Sequence, residues 1–349
     1  MAIYCITGVA GFIGSTLARA LVDRGETVRG IDDLSGGSLN NLDGYLERID
    51  LRKETITDPA AVNRAVHGAD FVLHHAAVAS VPLSVNDPRF THDANVNGTL
   101  NVLIAARDAG VKRIIFAASS AAYGDQTTQP NTESMPARPL SPYAAQKLAG
   151  EQYMQVFSRT YGVPAVCLRY FNIFGPRQSA DSPYSGVIAK FITAMMQGHA
   201  PRIFGDGNQT RDFTYVSNVV HANLLACEAP PDAVCGRVIN IGTGRAHTLN
   251  ETVSTLAQII GLDVVPTHSN YRPGDIRHSL ASIDLARHCL GYTPTDDFSN
   301  GLRQTVDWYR DQQDRSWQSR SFFHQAGAAA CAHSSIIPEN SNNEIPFNK

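Results

Sequence analysis

Ser119, Tyr143 and Lys147 are the side chains whose types and spacing could do chemistry together. Tyr143 and Lys147 are four positions apart, so on a helix they share a face one turn apart. An ammonium there favours phenolate over phenol, and a tyrosine that ordinarily ionises near pH ~10 becomes a base usable near neutrality. Ser119 follows Arg113 to Ala118, an apolar run that reads as a buried strand, and could hold a substrate hydroxyl while Tyr143 deprotonates it. Taking a proton from an alcohol is half of an oxidation. The other half is a hydride, which needs an acceptor.

The amino-terminal residues offer a place for one. Ala2 to Thr7 reads as a buried strand, Gly8, Gly11 and Gly14 follow at three-residue spacing, and Ser15 to Arg24 reads as a helix. Such glycines let backbone amides at a helix start approach a pyrophosphate, where the helix dipole favours an anion. A second apolar run, Thr27 to Ile31, ends at Asp32, close to where an acid that binds an adenosine ribose is expected. Asp32 and Asp33 together would repel a 2′-phosphate, which points to NAD rather than NADP.

These residues need a scaffold, and the pattern of the chain supplies one. Phe71 to His75, Arg113 to Ala118 and Ala165 to Tyr170 read as strands, alternating with helices over about Pro88 to Ala109 and Pro142 to Tyr161. That alternation predicts an α/β fold, a Rossmann-type doubly wound parallel sheet. Residues 1–172 form the NAD-binding domain, with a strand returning near 237–241, and Asn218 to Glu228 and Leu249 to Gly261 read as further helices. Loops rich in Gly, Pro, Asn and Asp mark 173–317 as a smaller α/β substrate-binding lobe over the carboxyl ends of the strands. Residues 318–349, rich in Ser, Ala, Asn and His, are expected to be a disordered tail.

Composition narrows the function classes. The 349 residues are 43% hydrophobic and 17% charged with a net charge of −3, ample for a large core and without a basic footprint for nucleic acid. No apolar run approaches the ~20 residues that span a bilayer and the amino terminus reads directly into the first strand without a signal peptide, so a cytoplasmic location is expected. Six scattered cysteines without a C-x-x-C read as free thiols. No metal is expected: His74 and His75 are neighbours on a strand, point to opposite faces and cannot readily share one ion.

Gly8-x-x-Gly11-x-x-Gly14, Asn95-Val96-Asn97-Gly98, Ser119, Tyr143-x-x-x-Lys147 and Leu168-Arg169-Tyr170-Phe171-Asn172 resemble the extended short-chain dehydrogenase/reductase family, over residues 1 to about 312. Within it, Ala117-Ala118-Ser119-Ser120, Arg211-Asp212-Phe213 and Arg272-Pro273-Gly274-Asp275-Ile276-Arg277-His278-Ser279 are similar to nucleotide-sugar 4-epimerases, particularly those acting on UDP-N-acetylhexosamines. The resemblance implies NAD contacts from Gly8, Gly11, Phe12, Ile13, Gly14, Asp32, Asp58, Ala76, Asn95, Tyr143, Lys147 and Tyr170. It also implies substrate contacts from Ala79, Ser80, Ser119, Ser120, Tyr143, Asn172, Val187, Arg211, Arg272, Asp275 and Ser279. Arg211 and Arg272 would grip the phosphates, for which guanidinium forks are well shaped, and Asp275 the uridine ribose. Asp58 serves equally well as the N-cap of a helix starting at Pro59, and the catalytic serine could be Ser119 or its neighbour Ser120.

In the family the position of Ser279 lines the sugar pocket, and a tyrosine there leaves no room for an N-acetyl group. Ala79 stands where epimerases of unsubstituted hexoses often carry lysine. Two small residues therefore imply UDP-GlcNAc and UDP-GalNAc as substrates, with UDP-Glc and UDP-Gal poorer ones, and a tightly retained NAD. The alternatives are a UDP-glucuronate 4-epimerase and, more distantly, a nucleotide-sugar dehydratase or decarboxylase, although Ser120-Ala121-Ala122 lacks the acid those enzymes use. A catalytically idle NAD-binding regulatory protein is the non-enzyme reading. By the same resemblance, Pro88 to Ala109 and Pro142 to Tyr161 would pair two subunits in a four-helix bundle, giving a homodimer.

Overall fold

Seven parallel strands make the central sheet of the computed structural model: β1 (Ile3–Thr7), β2 (Thr27–Ile31), β3 (Ile49–Arg52), β4 (Phe71–His74), β5 (Arg113–Ser119), β6 (Ala165–Tyr170) and β7 (Val238–Ile241). Their spatial order is β7-β6-β5-β4-β1-β2-β3. The order reverses direction between β1 and β4, and ligands of open parallel sheets bind at such a switch point. β7 is the strand expected to return, and it pairs with β6. Residues 1–179, 186–271 and 276–314 are described; Arg272, Asp275 and the tail expected from Gln318 lie outside them.

Successive side chains of a strand face opposite sides, and both sides of this sheet are apolar. Ile6, Ile115, Leu168 and Ile239 pack with Leu17 and Leu21 of α1 (Phe12–Asp23) on one side. Cys5, Ile114, Phe116 and Cys167 pack on the other with Val102 and Leu103 of α2 (Gly98–Asp108) and with Met154 and Phe157 of α3 (Pro142–Tyr161). Burying one such large side chain stabilises by about 1.5–3 kcal/mol, so sheet and helices hold each other.

Several elements depart from the expected bounds. α1 begins at Phe12 rather than Ser15 and takes Gly14 into its first turn; a Cβ on Gly14 would stand 2.0 Å from the Gly8 carbonyl oxygen, so only glycine permits this approach. The helix expected over about Pro88 to Ala109 is three pieces, with a π-helical turn at Asp93–Asn97 between Pro88–His92 and α2. π turns of this kind recur at functional sites, and here the turn carries Asn95. β3 was not foreseen, because Ile-Asp-Leu-Arg alternates over only four residues. β5 extends through Ser119, whose partner in register is Tyr170.

Beyond β6 the chain builds short sheets. Ile173–Phe174 pairs with Thr214–Tyr215, Arg202–Phe204 with Thr267–Ser269, and Thr210–Arg211 with both His247–Thr248 and His278–Ser279. Met1–Val306 form one compact unit and Asp307–Lys349 a second, of which residues 307–314 are helical.

Candidate active site

α3 presents the tyrosine and lysine. Ser141 caps its start by accepting from the Ala144 amide at 3.2 Å, Pro142 occupies its first turn, and Gly162 ends it in the left-handed region at φ 67°. Tyr143 thus stands in the first turn, and Ser119, at the end of β5, lies close enough to hold its hydroxyl below where burial alone would put it. Of the two candidate serines, Ser119 is the one that acts on the Tyr143 hydroxyl, and its oxygen accepts from the Ala121 amide at 3.2 Å. Lys147, one turn on, is 4% exposed and donates from Nζ to the Ala117 carbonyl at 2.9 Å.

The electrostatics of this trio differ from the sequence-based expectation that Lys147 makes Tyr143 more acidic. Burial raises the Tyr143 hydroxyl above the ordinary tyrosine value, and the bond to Ser119 opposes the rise. Burial also pushes Lys147 down to about 8, against the pull of the Glu151 carboxylate. Sharing a helix face brought both groups out of water together, so desolvation outweighs their mutual influence.

A cavity of about 760 Å³ brings half of the candidate residues together: Phe12, Ile13, Ala79, Ser119, Ser120, Tyr143, Lys147, Tyr170, Asn172, Arg211 and Ser279. An adjoining cavity of about 240 Å³ is bounded by Val187, Arg202, Phe204, Gln209 and Leu249, and it shares Asn172 and Arg211 with the first. Arg211 Nη1 donates to the Thr210 and Arg277 carbonyls at 2.9 and 3.3 Å. Asn172, at φ 31°, donates from Nδ2 to the Asp212 carbonyl at 3.3 Å.

Residues 4–242 match the family model described as "NAD dependent epimerase/dehydratase family". The chain belongs to that family. It is similar to a solved UDP-N-acetylglucosamine 4-epimerase from Methanobrevibacter ruminantium M1, in complex with UDP-N-acetylmuramic acid: 40% identity, 89% of this chain and 99% of that one covered, TM-score 0.85. It is 36% identical to the UDP-glucose 4-epimerase of Mycolicibacterium smegmatis, over 88% of this chain and 98% of that one. To the UDP-glucuronate 4-epimerase of Thermodesulfobacterium geofontis it is 30% identical, over 89% and 97%.

As a member of the NAD-dependent family, the chain has a fitting cradle for the cofactor. Gly8 takes φ 72°, where a Cβ would meet the Ala76 amide nitrogen at 2.8 Å, and on Gly11 a Cβ would find only the Gly8 carbonyl oxygen, at 3.2 Å. The turn therefore leaves a recess before the α1 amides, with Phe12 and Ile13 at its edge. Asp32, at the end of β2, is buried, accepting from the Ala10 and Leu34 amides at 2.8 Å each. Burial raises its carboxyl and these amide bonds oppose the rise. Asp58 is exposed and caps the helix Pro59–Val66, accepting from the Ala60 amide at 2.8 Å.

Asn95 and Ser80 play supporting parts. The buried carboxamide of Asn95 accepts from the Val78 amide at 2.8 Å and donates to Gln146 at 2.8 Å, tying the segment after β4 to α3. Ser80 is buried and caps the short helix Val81–Asn86, whose Ser84 in turn accepts from the Tyr143 amide at 3.0 Å. His75, considered from sequence only as a metal ligand and set aside, borders the main cavity, with Nε2 3.0 Å from the Tyr170 hydroxyl. Gln178 and Ile276 join the same lining, and Arg202, Phe204 and Gln209 the adjoining one, from loops and short strands without a sequence signature. Among the described residues no group of three His, Cys, Asp or Glu could hold a metal ion, and no helix is long and apolar enough to cross a membrane.

Proposed function

We propose that this enzyme interconverts UDP-GlcNAc and UDP-GalNAc by inverting C4, with UDP-Glc and UDP-Gal as poorer substrates. It is an NAD-dependent isomerase of the UDP-sugar 4-epimerase type; the choice of hexose is the proposed part. Bound NAD supplies a hydride acceptor and donor for C4. Tyr143 removes the proton of the C4 hydroxyl and returns it to the opposite configuration, Ser119 holds that oxygen, and Lys147 supplies the positive charge beside the phenol. The junction of the two cavities at Asn172 and Arg211 supports placing the diphosphate there and the uridine beside Val187.

The observation that carries the substrate choice is Ser279. It is 7% exposed and borders the same cavity as Ser119 and Tyr143, with Ala79 also in the lining. Two small side chains leave space for an N-acetyl group. No aspartate or glutamate borders that cavity among the described residues, which favours epimerisation over the eliminations and decarboxylations that use an acid.

The test is NMR of purified protein with UDP-GlcNAc and no added NAD, following the C4 epimer, with UDP-Glc and UDP-GlcA in parallel. Formation of UDP-GalNAc faster than either parallel conversion is expected. Conversion of UDP-Glc or UDP-GlcA alone would overturn the choice of hexose, and a keto-deoxy or decarboxylated product would overturn the reaction.

A homodimer through α3 and the segment Pro88–Asp108 is part of the proposal. Phe90, Tyr153 and Val156 are 52%, 37% and 49% exposed on these elements, an apolar surface suited to a second copy.

A further inference from the structure

Behind the proton-transfer trio lies a set of buried charges that the mechanism above leaves unused. Tyr143, Lys147 and Glu151 are spaced four and four along α3, so all three share one face. Glu151 is wholly buried. Its two oxygens accept from Nε and Nη2 of Arg169, at 2.7 and 2.6 Å, in a bidentate pair. Arg169, on β6, also lies over the Tyr123 ring at 4.5 Å, and the Tyr123 hydroxyl donates to Asn240 Oδ1 at 2.7 Å. A carboxylate held so firmly inside a protein is costly unless it serves its surroundings.

One turn before it on the same face of α3 stands Lys147. From β5 the lysine meets the Ala117 carbonyl and the Phe116 ring, 5.0 Å away. At the end of β4 and just after it, His74 and His75 are both held neutral by burial, with Lys147 adding to that effect. β6 contributes the neutral Cys167 and Tyr170 besides Arg169, and Glu133 lies beyond, facing Arg169 and Tyr123. Among these groups Glu151 is the carboxylate whose charge reaches the ammonium.

We propose that Glu151, clamped by Arg169, is a positioning residue that keeps Lys147 an ammonium, and thereby keeps Tyr143 usable as the base. Burial drives Lys147 down to about 8 and Glu151 is the opposing influence. Arg169 in turn opposes the rise that burial imposes on the Glu151 carboxyl. The chain of dependence runs from Arg169 to Glu151 to Lys147. It has an uncommon signature: removing the positive Arg169 should make Lys147 lose its own proton more easily, because an unclamped Glu151 takes up a proton and stops helping.

The inference rests on Tyr143 and Lys147 acting as proposed above, and its test has a readout independent of substrate. Lys147 is titrated in the NMR spectrum of protein carrying isotope-labelled lysine, with Lys147→Arg identifying its resonance, in wild type, Glu151→Gln and Arg169→Met. The midpoint should fall by about one pH unit or more in both variants, and the alkaline limb of kcat should move with it. An unchanged midpoint in Glu151→Gln, or a raised one in Arg169→Met, overturns the inference and leaves the pair a purely structural bond. Should a single variant not fold, Glu151→Gln with Arg169→Met removes both charges together and should still lower the midpoint; no change there overturns it equally. If wild type turns over no UDP-sugar yet the midpoints fall, the proposed function fails while this inference stands.

Discussion

Under the proposed function, Ser279 is the single side chain that bears most on which sugar the enzyme accepts. It borders the cavity that also holds Ser119 and Tyr143, and replacing it by tyrosine would fill the space assigned to the N-acetyl group. Ser279→Tyr is expected to lower kcat/KM for UDP-GlcNAc about 100-fold or more while leaving UDP-Glc turnover within a few-fold. Steady-state kinetics on both sugars decide it, and equal losses on the two would sink the pocket argument. The spacing of Tyr143 and Lys147 was readable in the sequence because a helix repeats every 3.6 residues. Their electrostatics were not, because desolvation depends on what else packs around the pair. The choice between Ser119 and Ser120 was not legible either, since both border the cavity and only packing brings one of them to bear on Tyr143.

The proposed function gives helix α3 two jobs, one on each face. Its inner face carries Tyr143, Lys147 and Glu151, and its outer face carries Tyr153 and Val156. A charge at the outer face should break the proposed dimer without touching the inner one. Val156→Glu is expected to raise the dimer dissociation constant at least tenfold, a cost of about 1.4 kcal/mol or more, read by sedimentation. A variant that sediments like wild type would argue against this face as the interface. α3 itself was legible from Pro142 to Tyr161, since Ser141, Pro142 and Gly162 punctuate it. The segment from Pro88 to Asp108 was legible only as helical: the π turn that aims Asn95 at Val78 and Gln146 comes from packing against α3, which no local signal announces.

The assembled chain should be acid-sensitive for a reason seated at the end of β4. His74 Nε2 bonds Thr99 Oγ1 at 2.9 Å, and that hydroxyl is itself spent donating to the Asn95 carbonyl, so Nε2 carries the proton. Nδ1 then accepts from Thr7 Oγ1 at 2.8 Å, whose oxygen in turn accepts from the His75 and Ala76 amides. Burial pushes His74 well below its ordinary 6.5 and His75 to about 4. The unfolded chain therefore binds protons below pH 6.5 that the folded chain refuses, so stability is complete above that value and lost as pH falls toward 4. For His75 alone the loss near pH 4 is about 3 kcal/mol. Thermal unfolding of wild type and His75→Gln between pH 7.5 and 4.5 checks this; the variant should show a shallower decline, and parallel curves would refute it.

Local pattern was enough for the Rossmann-type sheet, the glycine turn and the returning strand at Val238–Ile241, because strand period, helix period and tight turns are written in near neighbours along the chain. The same nearness made Gly14 readable as a turn residue, although not as one whose hydrogen must face the Gly8 carbonyl. Contacts between distant residues set the rest. Arg169 and Glu151 meet across 18 positions, His75 and Tyr170 across 95, and Tyr123 and Asn240 across 117. Such pairs have no period, and they exist only once the helices and strands have packed. The carboxylate behind Lys147 and the cavity around Ser279 follow from that packing, which is why they had to be seen in three dimensions.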